Sequence, residues 1–189
     1  MQEEEQINPW KIIDASELYQ NNWISLTHYN VINPSGGLGI YGKVHFKNLA
    51  IGIVALDDEL NTYLVGQYRF TIDKYSWEIP EGGCPKNENP LVAAKRELLE
   101  ETGLKANQWQ VLGTAYLSNS VTNEYSVYYL ASGLSQHAAA PEETEQLSIK
   151  KISLKEALEM IEEGEINDAL SILALQKVQL LLLQGKLKL

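Results

Sequence analysis

Glu97 and Glu101 stand four residues apart, with Arg96 just before them and Glu100 between. On a helix, residues at this spacing share a face, so the two carboxylates project together and Glu100 lies close to them. Like charges so placed destabilise an isolated helix, which calls for something to offset them. A divalent cation does so, and hard oxygen donors favour Mg²⁺ or Mn²⁺. Arg96 can make a bidentate pair with a neighbouring glutamate and hold the array in place. Upstream, Gly82 and Gly83 allow a sharp turn that brings backbone close to a metal ion or a substrate phosphate.

These residues need elements to position them. Asn89 is suited to cap a helix, Pro90 to be its first residue, and Gly103 to close it in the left-handed conformation, with Leu91 to Thr102 showing helical spacing between. The first half of the chain reads mostly as strand. Residues 23–31 and 38–46 form an expected hairpin around Asn33-Pro34-Ser35-Gly36-Gly37. Residues 49–56 are an almost unbroken apolar run, as in a strand buried on both faces, and residues 62–69 return as a strand. Strands are expected again at 109–117, 125–131 and 147–152. Ser153 and Glu156 form a capping box for a helix stopping at Gly164, and Asn167 is the expected cap of a last helix reaching about Leu183. Interleaved strands and helices make this an α/β protein. We expect a small antiparallel β lobe over residues 1–48 and the main domain over 49–189.

Composition bounds the partners. Hydrophobic residues make up 44% of the 189, enough for a core without disulfide or zinc staples. The net charge of −10 argues against nucleic acid, whose phosphates need clustered Lys and Arg. An enzyme handling phosphates tolerates such acidity if some carboxylates hold a cation. The lone Cys84, the acidic N-terminus and the lack of a membrane-length apolar run point to a cytoplasmic protein without membrane association. His28, His45 and His137 show no metal-ligand spacing.

The segment from Gly82 to Leu104, GGCPKNENPLVAAKRELLEETGL, follows the pattern G-x5-E-x7-R-E-U-x-E-E-x-G-U at each defined position. With seven exact positions at roughly 6% each, chance gives on the order of 10⁻⁹ per start site. The segment resembles the box of the Nudix hydrolases. That resemblance implies an α/β/α sandwich with a mixed sheet and a metal-dependent attack of water on a pyrophosphate. It also implies that Glu97 and Glu101 are metal ligands, that Glu100 is a frequent third, and that the backbone carbonyl of Glu81 completes the shell. Glu88 falls where the family often has a structural link between loop and helix.

The flanks resemble the ADP-ribose pyrophosphatases and other nucleoside-diphosphate-sugar hydrolases. Gln67-Tyr68-Arg69 and Trp77-Glu78-Ile79-Pro80-Glu81-Gly82 are similar to that group's Q-Y-R and E-[LIF]-P-A-G, and Ala157 to Gln176 to its C-terminal helices. The resemblance makes Arg69, Glu78, Gly82 and Gly83 candidate substrate contacts, although Arg69 could equally be a surface ion pair. Tyr41, Trp77 and Tyr125 could stack on a base, but single aromatics on strands more often belong to a core. The box glutamates being committed to metal, the base that activates water is expected in the acidic loop 141–145. Register against resembling enzymes puts it at Glu143, with Glu145 at a second position that could contact the metal; without the resemblance the segment reads as a solvated acidic loop. The implied reaction turns ADP-ribose into AMP and ribose 5-phosphate, in a homodimer assembled through the β lobe. Residues 117–124 depart from the group, which usually has a proline there. GDP-mannose or another sugar nucleotide, a nucleoside triphosphate, a dinucleotide, or a binding module without hydrolysis remain alternatives.

Overall fold

The computed structural model describes residues 7–138, 147–187 and 189, in two compact units. One consists of the described residues up to Lys47 together with Ser118–Glu124. Its strands β1 (Lys11–Gln20), β2 (Ile24–Ile32) and β3 (Leu38–Phe46) form an antiparallel sheet in the order β1-β2-β3. The β2–β3 turn closes where expected. Asn33 Oδ1 accepts from the backbone N–H of Ser35 at 2.9 Å and of Gly37 at 3.1 Å, and Gly36 takes φ 85°. Sequence reading passed over β1, because register shifts at Ile12/Asp14 and Glu17/Tyr19 break the two-residue period on which strand recognition rests. Ser118–Glu124 joins this unit through Phe46 N–H, which donates to Asn123 Oδ1 at 2.7 Å, and the Tyr41 hydroxyl, which donates to the Ser120 carbonyl at 2.6 Å.

The second unit, Asn48–Leu117 with Tyr125–Leu189, is built around β4 (Asn48–Ala55). That strand lies parallel to β9 (Tyr125–Gln136) and antiparallel to β7 (Glu81–Pro85), and with β8 (Leu104–Tyr116) they make a mixed sheet in the order β7-β4-β9-β8. Strands β5 (Asn61–Arg69), β6 (Lys74–Glu78) and β10 (Ser148–Ser153) form an antiparallel sheet in the order β10-β5-β6. Side chains alternate along a strand, and here the two sets fill two different cores. Ile51, Ile53 and Ala55, with Val127, Tyr129 and Ala131 of β9, pack with Ala93, Ala94 and Leu98 of helix α1 (Pro90–Thr102). Val54 and Leu56, with Tyr128 and Leu130, pack with residues of α2 (Leu154–Glu162) and α3 (Ala169–Leu183). Helices therefore cover both faces of β4, the α/β/α sandwich expected from sequence, and the apolar run at 49–56 is the strand that both layers cover.

Capping fixes α1 as read from its residues. Asn89 Oδ1 accepts from Leu91 N–H at 2.9 Å, and Gly103, at φ 69°, donates its N–H to the Leu99 carbonyl at 2.9 Å. At α2, Ser153 Oγ accepts from Glu156 N–H at 3.1 Å, and Gly164 at φ 78° follows its end. The cap of α3 is corrected by one residue. Asp168, not Asn167, takes the extended cap conformation and accepts from Ser171 N–H at 2.7 Å. The short strands β6 and β7 were not expected; β7 carries two glycines, a composition that weakens strand propensity.

Candidate active site

The site grows from one sheet edge. In an antiparallel pair, alternate residues turn their N–H and C=O toward the partner strand. The Pro80 carbonyl accepts from Ile53 N–H at 2.9 Å, and Gly52 stands opposite Glu81. Glu81 and Gly83 therefore turn their backbone groups to the open edge of β7, because β7 ends its sheet. Helix α1 supplies partners along that edge. Glu81 N–H donates to Glu101 Oε2 at 3.0 Å, and the Gly83 carbonyl accepts from Arg96 Nη2 at 3.0 Å. The Glu81 carbonyl lies on the same edge, between these two anchored points.

Gly82 explains the close approach. A Cβ there would stand 2.0 Å from Cδ of Glu97, so the Glu97 carboxylate rests directly on the loop backbone. Glu101 is buried, and its carboxylate reaches the same strand one residue earlier. Helical spacing thus brings Glu97 and Glu101 to adjacent residues of one edge. Arg96 organises the array. Its Nη1 donates to Glu97 Oε1 at 2.8 Å and to Glu100 Oε2 at 3.0 Å, while Nη2 lies 3.5 Å from Glu88 Oε2. Burial alone would lower the pKa of this guanidinium, but Glu97 and Glu100 outweigh it and raise it above its ordinary value. Glu88, whose own N–H donates to the Pro85 carbonyl at 2.8 Å, ties the loop to the helix through Arg96.

The donors gathered here are carboxylate and carbonyl oxygens, the chemistry that suits Mg²⁺ or Mn²⁺. Among the described residues, no three acidic, histidine or cysteine side chains are yet drawn together tightly enough to enclose an ion. Glu97 and Glu100 share Arg96, and Glu101 holds a backbone amide. Seating a cation would exchange part of these contacts for metal–oxygen bonds.

Beside this edge, Arg69 of β5 and Glu78 of β6 form a close pair, with Nε 3.0 Å from Oε1 and 3.1 Å from Oε2. The ion-pair reading of Arg69 has structural support, but Glu78 is buried rather than on the surface. The pairing raises the Arg69 pKa.

Two residues at the site escaped sequence reading. Ser171 Oγ accepts from Ile79 N–H at 3.0 Å and donates to Glu81 Oε1 at 2.9 Å. Asp168, at the cap of α3, faces the same Glu81 carboxyl. Burial first, then Asp168, push that carboxyl well above the usual carboxylate range. An Asp-x-x-Ser cap is a sequence signal, but its distance of ninety residues from Glu81 hides the contact.

The loop glutamates Glu143 and Glu145 lie outside the described residues. The three aromatic candidates have other company. Tyr41 is tied to Ser120, Trp77 carries the Lys150 ammonium 4.4 Å from its ring centroid, and Tyr125 packs on Tyr116 at 4.9 Å. No helix among the described residues is long and apolar enough to cross a membrane.

The chain is 33% identical to the methanol dehydrogenase activator of Bacillus methanolicus over 90% of its own length and 92% of that protein. It is also 33% identical to the ADP-ribose pyrophosphatase of Mycobacterium tuberculosis, over 86% of this chain and 80% of the relative. A solved structure described as an ADP compounds hydrolase superposes with a TM-score of 0.84 at 21% identity, covering 97% of this chain and all of that one, and shows the same fold. A NUDIX domain model matches residues 46–174, which contain β7, α1 and both carboxylates that meet at the β7 edge; the chain belongs to the Nudix hydrolase family.

Proposed function

We propose that the protein hydrolyses the pyrophosphate bond of a nucleoside-diphosphate sugar, with ADP-ribose, cleaved to AMP and ribose 5-phosphate, as the leading substrate. The observation that carries this reading is the convergence of Glu97 on Gly82 and of Glu101 on Glu81 N–H, which lays an acidic helix face along an open backbone edge. The flanking motifs and the ADP-ribose pyrophosphatase among its relatives favour the sugar nucleotide.

Glu97, Glu101, Glu100 and the Glu81 carbonyl would hold Mg²⁺ or Mn²⁺, which when bound supplies charge stabilisation to phosphoryl oxygens and lowers the pKa of water. Arg96 keeps Glu97 and Glu100 oriented. Gly82 and Gly83 let the substrate diphosphate approach backbone, and the Arg69–Glu78 pair contributes contacts on the substrate side. Glu143 accepts the proton of the attacking water, with Glu145 in support. The three-stranded unit serves as the homodimer contact, and the protein acts in the cytoplasm on small nucleotides rather than nucleic acid.

The test is a panel of ADP-ribose, ADP-glucose, GDP-mannose, NADH, a diadenosine polyphosphate and dGTP, each with Mg²⁺ and Mn²⁺ and with products separated by chromatography. AMP and ribose 5-phosphate formed fastest from ADP-ribose support the reading. GDP-mannose has its own claim, because residues 117–124 lack the expected proline. A rate highest on dGTP would overturn the sugar-nucleotide assignment.

A further inference from the structure

We propose that Ser171 is a positioning residue for the active site: from the first turn of α3 it links the backbone of Ile79 to the side chain of Glu81 and so fixes the direction of the Glu81 carbonyl. Ser171 is fully buried and lies ninety positions beyond Glu81. A serine hydroxyl has one proton to give, and here it goes to Glu81 Oε1 at 2.9 Å while the oxygen accepts from Ile79 N–H at 3.0 Å. Both contacts are used at once, so the hydroxyl is locked. Its backbone is locked too, because Ser171 N–H donates to Asp168 Oδ2 at 2.7 Å.

Three successive residues are thereby anchored from three directions. Ile79 N–H is held by Ser171, the Pro80 carbonyl by Ile53 N–H, and Glu81 by Glu101 at its N–H and Ser171 at its carboxyl. With its N–H and its side chain both held, the Glu81 Cα is fixed in direction, and the peptide that follows is pinned at its far side where Gly82 pairs with Ile51. Its carbonyl is held at the β7 edge that Glu97 and Glu101 reach. A serine that merely satisfied buried polar groups would change stability alone. A positioning serine also changes cation affinity and turnover.

This role rests on the proposed metal site, so the experiment separates the two. Mn²⁺ binding to the whole protein without substrate is measured by calorimetry, beside kcat, KM and the melting temperature, for Ser171→Ala, Ser171→Thr and Glu97→Gln. Ser171→Ala is expected to weaken Mn²⁺ binding by about tenfold or more, as losses of groups that orient metal ligands do. It is expected to lower kcat more than it raises KM, while Ser171→Thr, which keeps the hydroxyl, recovers most of both. Should Ser171→Ala fail to fold, Ser171→Cys, nearly the same size but a weak donor, is expected to show the same Mn²⁺ loss. Wild-type Mn²⁺ affinity and kcat in a folded Ala or Cys variant, beside a clear loss in Glu97→Gln, overturn the positioning role alone. Undiminished Mn²⁺ binding in Glu97→Gln overturns the metal site, and the role of Ser171 with it.

Discussion

The three-stranded unit and the Nudix body use strands in opposite ways. Of the described residues in β1, β2 and β3, Val31 alone is buried, whereas β4 by itself buries five. Ile12, Leu18, Leu38 and Ile40 are mostly exposed on the small sheet. Covering one such side chain contributes roughly 1.5–3 kcal/mol, so this surface gains from a partner. The candidate site lies on the region that buries its own core. The difference teaches that the candidate site rests on a well-packed body, and it leaves the exposed small sheet as the surface for the proposed assembly.

Legibility followed locality rather than this divide, since the β2–β3 hairpin of the small unit was read and β6 and β7 of the body were not. Asn89, Pro90 and Gly103 announce α1, because caps and periodicity are local, and the box glutamates announce its chemistry. The double burial of β4 was legible in its unbroken apolar run. In contrast, β1 was hidden by its two register shifts, and β7 by glycines that serve the site rather than the strand. The link from Ser171 to Glu81 was hidden for another reason: a hydrogen bond across ninety residues leaves no local pattern.

The largest expected effects would show that activity can be lost without the body's stability. Glu97→Gln or Glu101→Gln is expected to lower turnover by on the order of 10²–10³-fold, with circular dichroism and melting little changed. Near-normal turnover in both would remove the carboxylate edge from the mechanism. Gly82→Ala sharpens the same point. Its methyl group would collide with the carboxylate end of Glu97, a flexible group that can swing away, so the fold survives and the ligand is displaced. Turnover is expected to fall to about the level of Glu97→Gln; a Gly82→Ala enzyme with wild-type kcat would show that Glu97 need not touch the loop.

A smaller effect on chemistry is expected from the other region. Ile12→Lys combined with Ile40→Lys places charges on the exposed small sheet, and light scattering is expected to fall from a dimer to the 21.2 kDa of one chain. Mn²⁺ affinity is expected to stay within about twofold, because the proposed metal donors all belong to the body. A wild-type protein that is already monomeric would break the assembly half of the comparison.

The smallest expected effect tests whether the body's stability has an electrostatic component independent of both site and assembly. Asp57 closes the turn between β4 and β5. Its Oδ1 accepts from Glu59 N–H at 3.0 Å and Asn61 N–H at 2.8 Å, and its Oδ2 meets Lys151 Nζ of β10 at 2.8 Å. Burial on its own would raise the Asp57 pKa, but Lys151 and Asn61 outweigh it and bring it from 3.8 down to about 2. A carboxylate with a depressed folded pKa stabilises the fold above its unfolded value and loses that contribution as pH falls through the folded one. Asp57 therefore contributes fully above about pH 4 and loses its contribution between about pH 4 and 2. Lys151 is half exposed, so solvent screens the pair and Asp57→Asn is expected to lower the melting temperature by only a few degrees at pH 7. The gap between wild type and variant should close as pH drops to 2 and narrow in 1 M salt, with the light-scattering mass unchanged. A gap that persisted at pH 2 would assign the effect to the turn's neutral hydrogen bonds instead of its charge.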